Sequence, residues 1–150
     1  MEVLKILHLF GVVIWVGGMF FSYMILRPVV NRLLVSPQFI KFWQLTFSHF
    51  FPWVWFSLTM ILGSGLHMIH KMGGFANLPF YVYLMFAMGV MMMLIFMYVF
   101  FTAYRKLKRY VVMEEWELAG IALIQIRVLI GLNLILGIVT TAVAVLGTAF

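Results

Sequence analysis

The sequence predicts an all-α integral membrane protein, an antiparallel four-helix bundle that forms one domain over residues 1–150. The prediction rests on a composition that is 66% hydrophobic and 9% charged, on a mean hydropathy of +1.15, and on four long apolar runs. Soluble domains carry about 25% charged residues, and a globule of this length leaves about 30% of its unfolded-chain surface in water. The composition therefore excludes a soluble enzyme, a nucleic-acid-binding domain and a disordered tail.

The four apolar runs are each long enough to cross a lipid bilayer, which requires about 20 mainly apolar residues. They cover residues 3–26, 52–70, 79–103 and 119–149. None of them shows the alternation over about 10 residues that is typical of a membrane β-barrel. With their extensions into the connecting segments, the predicted helices span about 3–26, 37–70, 79–110 and 115–149.

The first run is longer than the apolar region of a cleaved signal peptide, which has about 7–15 residues, so we expect it to remain as a membrane span. Before the second run, Ser36 followed by Pro37 is typical of a helix start. The segment 37–51 is aromatic and amphipathic, and we expect it to lie at the inner membrane interface. Pro52 is then expected to bend the chain into the membrane core.

The third helix is predicted to begin near Asn77 and Pro79, because a capping residue followed by a proline is common at helix starts. A turn near residues 111–114 connects it to the fourth helix. The chain has four Asp and Glu residues, and three of them precede or begin this fourth helix, where they suit its dipole. They are too few for general acid–base catalysis.

The basic residues predict the orientation of the bundle. Two lysines, Lys5 and Lys71, lie on one side of the predicted membrane spans. The other eight of the ten Lys and Arg residues lie on the opposite side and are Arg27, Arg32, Lys41, Arg105, Lys106, Lys108, Arg109 and Arg127. Because positive residues concentrate in cytoplasmic connections, both termini are predicted on the outer side.

The histidines are the most informative polar residues in the spans. His8 lies near the outer end of the first helix, and His67 and His70 lie near the outer end of the second, so we expect all three at similar depth. His49 is about 27 Å from His67, from 18 residues at about 1.5 Å each, and is predicted at the inner interface. Since the chain has no cysteine, any metal must be bound by His, Met, carboxylate or backbone groups.

Helical spacing places each of two histidines on a face that contains glycine. The face of the first helix comprises His8, Gly11, Trp15, Gly18 and Ser22. The face of the second helix comprises Trp53, Phe56, Met60, Gly63 and His67. Glycines beside a histidine allow a flat porphyrin to lie against the backbone, and imidazole is a common haem ligand. The alternative is that the glycines serve close packing between membrane helices.

Methionine and arginine add two further candidates. Met85 and Met88 lie in the outer half of the third helix, near the depth of the histidines. Thioether and imidazole groups together suit Cu(I), although methionines also fill gaps in apolar bundles. Arg127 lies toward the inner side of the fourth helix, where it either extends to the headgroups or binds an anionic carboxylate or lipid phosphate.

Several short motifs resemble those of the CopD/PcoD-like copper-resistance membrane protein family. They are His8 with WVGG at 15–18, FPWVW at 51–55, MGGF at 72–75 and YR at 104–105. The resemblance covers nearly the whole chain and implies copper uptake or handling in a bacterial inner membrane. The first helix also resembles the HemJ-type protoporphyrinogen oxidases, which are associated with haem b and in which His8 would be a ligand. The third helix has no histidine and departs from that pattern.

The leading functional prediction is a haem b-binding membrane protein with bis-histidine ligation near the outer face. The ligands would be His8 and His67 or His70, flanked by Gly11, Gly18 and Gly63, with Trp15 on the ring. Such a protein would transfer electrons between quinol or a membrane redox partner and an outer acceptor, or sense or carry haem.

Three alternatives remain open. The first is copper transport or sequestration through His8, His67, His70 and Met85 or Met88. The second is HemJ-like porphyrinogen oxidation, and the third is an assembly subunit without a cofactor. Besides the lipid bilayer, a second copy is a candidate partner, since a small bundle with glycine-rich faces could form a homodimer. No nucleic-acid partner is expected.

Overall fold

The computed structural model describes residues 1–149 and contains four long helices, with no β-strand in that range. These helices are α1 (Glu2–Leu33), α2 (Gln38–Lys71), α3 (Phe80–Val112) and α4 (Trp116–Ala149). By length and composition, all four can cross a membrane. A helix of 34 residues is about 51 Å long and exceeds the hydrocarbon core of about 30 Å, so its ends reach the polar zones of a bilayer.

Helix α1 is longer than the sequence predicts. It continues through Pro28 to Leu33, so the predicted end near residue 26 is wrong. The turns before the proline, Phe21–Leu26, are π-helical, and the Arg27 N–H bonds to the Ser22 carbonyl. Local π-helical adjustment satisfies backbone groups that a proline would otherwise leave without partners, and this allows α1 to pass Pro28 without ending.

Helix α2 is one continuous helix that contains Pro52. The segment 37–51, expected at the membrane interface, does not form a separate element. Its residues Trp43 and Phe47 are 5% and 3% exposed, and the Phe47 ring stacks on the Phe51 ring with centroids 5.1 Å apart. The aromatic residues of this segment therefore belong to the core of the bundle.

Helices α3 and α4 pack along their lengths and are joined by the turn at Met113 and Glu114, as predicted. Asn133 on α4 is 3% exposed, and its side-chain N–H donates to the Met92 carbonyl of α3 at 3.1 Å. A second interhelical bond joins Gln125 to the Tyr98 hydroxyl at 3.0 Å. These polar contacts fix the two helices relative to each other.

An aromatic cluster joins α1, α2 and α3 in the centre of the bundle. Phe51 of α2 contacts Phe96 and Tyr104 of α3, with ring centroids 5.5 and 4.9 Å apart. Trp15 of α1 meets Phe96 edge-on at 6.3 Å. Edge-to-face pairs stabilise by about 0.5–1.5 kcal/mol beyond the burial of their surface, so this cluster is the main apolar link among the three helices.

Glycines on α1 allow it to approach α2 closely. A Cβ atom placed on Gly11 would lie 2.8 Å from Cγ1 of Ile61 and 3.0 Å from the Ser57 carbonyl oxygen. A Cβ on Gly18 would overlap the Phe50 ring. In contrast, a Cβ on Gly17 would meet no atom within 4 Å. Gly11 and Gly18 therefore form a packing face, whereas Gly17 does not contribute to it.

We expect Gly11→Ala to lower the free energy of unfolding by about 1–2 kcal/mol, because overpacking costs about 1–3 kcal/mol and the gain in helix propensity offsets part of it. The matched variant Gly17→Ala adds the same methyl group to the same helix in open space. It should be neutral or more stable by up to about 1 kcal/mol. Unfolding in detergent, followed by circular dichroism, measures both, and equal effects would contradict the close approach.

Candidate intramembrane histidine site

His8 lies where α1 packs against α2. Its side chain is half-buried, and its Nδ1 atom lies 3.1 Å from Oγ of Ser64. A Cβ atom on Gly65 would lie 3.3 Å from Cε1 of His8, so the ring packs directly on the α2 backbone. Ser64 is 6% exposed. The site is therefore a histidine held between two helices by one hydrogen bond and one glycine contact.

His8 lies on the buried face of α1. Gly11, Trp15 and Met19 are the buried residues of this part of α1, and Trp15 is 3% exposed. Residues three or four apart share a helix face, and His8 lies one turn before Gly11. The same face thus contacts α2 at Gly11 and reaches the core cluster at Trp15.

The face of α2 that contains His67 is mostly exposed. Trp53 and Phe56 are 57% and 47% exposed, Gly63 and His67 are exposed, and a Cβ on Gly63 would meet no atom within 4 Å. This face points away from the other helices. Residues two apart differ by about 200° around a helix, so Gly65 rather than Gly63 lies against His8.

Sequence reasoning missed Ser64 and Gly65, the residues that contact His8. The sequence contains a usable indication, because a serine and a glycine are adjacent at the predicted depth of His8. This pair is hard to identify as the contact with His8, because α2 is apolar on both faces and its outward face carries Trp53 and Phe56, residue types that are usually found in a core. A helix surrounded by lipid exposes large hydrophobic residues, so hydrophobic spacing alone does not identify its buried face.

The other three histidines are exposed, unlike His8. His67 and His70 are exposed and lie beyond Ser64, within two turns of it. His49 is exposed near the opposite end and contacts the Leu45 carbonyl of its own helix at 3.0 Å. Within residues 1–149, no three His, Cys, Asp or Glu side chains form a group able to hold a metal ion.

The methionine candidates lie on another part of the bundle. Met85 and Met88 are half-buried and belong to the part of α3 that packs against α4. His8 belongs to the contact between α1 and α2. The sequence predicts His8 and these two methionines at a similar depth, but the residues belong to different pairs of packed helices.

The hydrogen bonds of Ser64 bear on which nitrogen of His8 carries the proton. The Ser64 hydroxyl has one proton, and its Oγ lies 2.5 Å from the Met60 carbonyl and 3.1 Å from Nδ1 of His8. When the hydroxyl donates to Met60, its oxygen accepts from Nδ1–H of His8. A neutral imidazole in that arrangement keeps its lone pair on Nε2, and the hydrogen bond to Ser64 orients the ring as it does for histidine ligands.

Comparison with family models, with curated proteins and with solved structures finds no match to this chain. The family resemblances of the sequence motifs therefore remain predictions, and the proposed function rests on the geometry around His8.

The bond between His8 and Ser64 leads to a stability prediction. We expect Ser64→Ala to lower the free energy of unfolding by about 0.6–1.7 kcal/mol, the range measured for interhelical side-chain hydrogen bonds in membranes. Thr59→Ala is the control, because Thr59 is exposed and bonds only to the Trp55 carbonyl of its own helix, at 3.0 Å. A double-mutant cycle with His8→Ala measures the coupling, and a coupling energy of zero would contradict the bond.

Proposed function

We propose that this protein is a multi-pass membrane protein that binds haem b, which His8 would hold through Nε2. The observation that carries the proposal is the hydrogen bond between His8 Nδ1 and Ser64 Oγ. It holds Nδ1 of an intramembrane imidazole toward Ser64, so that Nε2 is the nitrogen available to a ligand. A histidine in a membrane-spanning segment is costly and is commonly retained for function.

We place this haem at the surface of the bundle and not between α1 and α2. Ile61 and Phe50 fill the space beside Gly11 and Gly18, so a porphyrin enclosed between the two helices does not fit. The face of α2 that carries Gly63 and His67 is open. We therefore propose His67 or His70, at this lipid-facing surface, as the second ligand.

Bound haem would supply one-electron redox chemistry, and the chain would orient its ligand and exclude water from one side. Ser64 bonds to His8, and the imidazole ring packs against the α2 backbone at Gly65. We propose electron transfer between quinol or a membrane redox partner and an outer acceptor as the activity. Haem sensing or carriage would use the same site.

The absorption spectrum of protein purified from haem-replete cells tests the proposal. We expect a Soret band with sharp bands on reduction, and loss of haem in His8→Ala. The matched control is His49→Ala, which removes an exposed histidine of the opposite end and should leave the spectrum unchanged. His67→Ala and His70→Ala identify the second ligand. A colourless protein that retains stoichiometric Cu(I) would contradict haem and favour the copper alternative.

We also propose that the bundle is antiparallel, with both termini on the periplasmic side of a bacterial inner membrane. The contact of His8 with Ser64 joins the start of α1 to the end of α2. Tyr81, near the start of α3, packs on Gly147, near the end of α4. Both contacts support opposite directions within each helix pair, and the distribution of basic residues supports the orientation.

Single cysteines test this orientation without background, because the natural chain has none. We expect Ala76→Cys, in the exposed connection between α2 and α3, to react with a membrane-impermeant maleimide added outside. Lys106→Cys, exposed near the end of α3, should react only after the membrane is permeabilised. The reverse pattern would contradict the proposed orientation, and labelling of both from outside would contradict the span between them.

A further inference from the structure

A cavity of about 390 Å³ opens among α1, α2 and α4, toward the end of the bundle opposite His8. Arg27, on its wall, is 19 residues along α1 from His8, which corresponds to about 29 Å. The cavity is therefore separate from the histidine site. Its volume lies within the range of about 300–1,000 Å³ that is usual for ligand sites.

The walls of the cavity are apolar and aromatic, and its charged groups are mainly basic. Phe39, Ile40 and Trp43 of α2 form one wall, and Ile124 of α4 lies on another. Lys41 adds a cation beside the cavity, since its Nζ lies 5.4 Å from the ring centroid of Trp116, which is a lining residue. Such a site suits a molecule with an apolar part and an acidic head.

Two arginines, Arg27 and Arg127, line this cavity without a carboxylate partner in the described part of the chain. The ion pair found among residues 1–149 joins Lys5 to Glu2 at the far end of α1. Glu117 also lines the cavity but forms no ion pair with either arginine within 4.0 Å. Charged groups in a membrane are costly unless they are paired, so an anionic ligand would stabilise this arrangement.

The guanidinium of Arg27 is held at the cavity wall by its neighbours. It stacks over the Tyr23 ring, 4.8 Å from the centroid. The Tyr23 ring in turn packs on Gly131 of α4, where an added Cβ would lie 2.9 Å from Cε2 of Tyr23. Tyr23 belongs to the π-helical stretch Phe21–Leu26, and single π-helical turns inside α-helices are frequent at functional sites.

The two arginines lie near the end of the bundle where lipid headgroups are expected. Arg27 lies six residues, about 9 Å, before the end of α1, and Arg127 lies 11 residues, about 17 Å, after the start of α4. The helices exceed the hydrocarbon core by about 20 Å in total, or about 10 Å at each end, so the Arg27 backbone lies at the boundary of the headgroups and the Arg127 backbone about 7 Å inside it. A long arginine side chain extends from such a depth toward the headgroups. A phosphate there can accept hydrogen bonds from planar guanidinium groups in a bidentate manner.

We propose that this cavity binds an anionic phospholipid, with its phosphate between Arg27 and Arg127 and an acyl chain between the wall of Phe39 and Ile40 and the wall of Ile124. The apolar wall distinguishes this occupant from free phosphate, which would use only the arginines. The site is independent of the proposed haem site, and neither requires the other.

Native mass spectrometry of the full chain, extracted from vesicles of phosphatidylcholine and phosphatidylglycerol, tests the proposal. We expect one retained phosphatidylglycerol per chain, and an affinity lower by about tenfold in each of Arg27→Gln and Arg127→Gln. The matched control is Arg32→Gln, an exposed arginine near the same end of α1 that does not line the cavity. It should retain the lipid like the unaltered chain.

A second variant tests the cavity with both arginines in place, should their replacement prevent folding. Gly120 lines the cavity, and a Cβ there would meet only Cδ1 of Ile40, at 4.0 Å. We expect Gly120→Leu to fill the space and release the lipid while the helix content stays unchanged. Unchanged retention in this variant, equal loss in Arg32→Gln, or equal retention of phosphatidylcholine would overturn the proposal. Displacement by inorganic phosphate would overturn the assignment to a phospholipid.

Discussion

The absence of water in the hydrocarbon core is the constraint on which the rest of this structure depends. Polar side chains between the helices have to find partners within the protein, because lipid tails offer no hydrogen bonds. His8 meets this requirement with Ser64, and Asn133 meets part of it with the Met92 carbonyl. Each of these bonds joins two helices. The few polar residues that the composition permits therefore determine how the apolar helices are paired.

Close packing by glycine is what makes the polar contact of His8 possible. Gly11 allows α1 to approach the backbone of α2 at Ser57. One turn toward the start of α1, the two helices are therefore close enough for His8 to reach Ser64. Gly11 and Gly18, which the sequence suggested as a surface for a porphyrin, are covered by side chains of α2. They act on the site indirectly, by setting the distance between the helices that hold the imidazole.

The number of helices, their approximate starts and the common face of His8, Gly11 and Trp15 on α1 could be predicted from the sequence. Apolar runs of this length have few alternatives, and His8, Gly11 and Trp15 repeat at helical spacing. The end of α1 could not be predicted, because a proline such as Pro28 usually ends a helix and the π-helical turn that accommodates it has no distinct sequence pattern. The buried face of α2 could not be predicted either, since Trp53 faces outward at a position where a soluble helix would carry a charged residue.

The two ends of the bundle differ in how their polar groups are stabilised within the membrane. At one end the imidazole of His8 bonds to Ser64 within the chain. At the other end Arg27 and Arg127 have aromatic and apolar neighbours but no carboxylate partner among residues 1–149. An imidazole with one nitrogen outside its hydrogen bond suits a metal centre, whereas two cations in an apolar cavity suit an anion. The ligands proposed for the two sites therefore differ because the polar groups at the two ends differ.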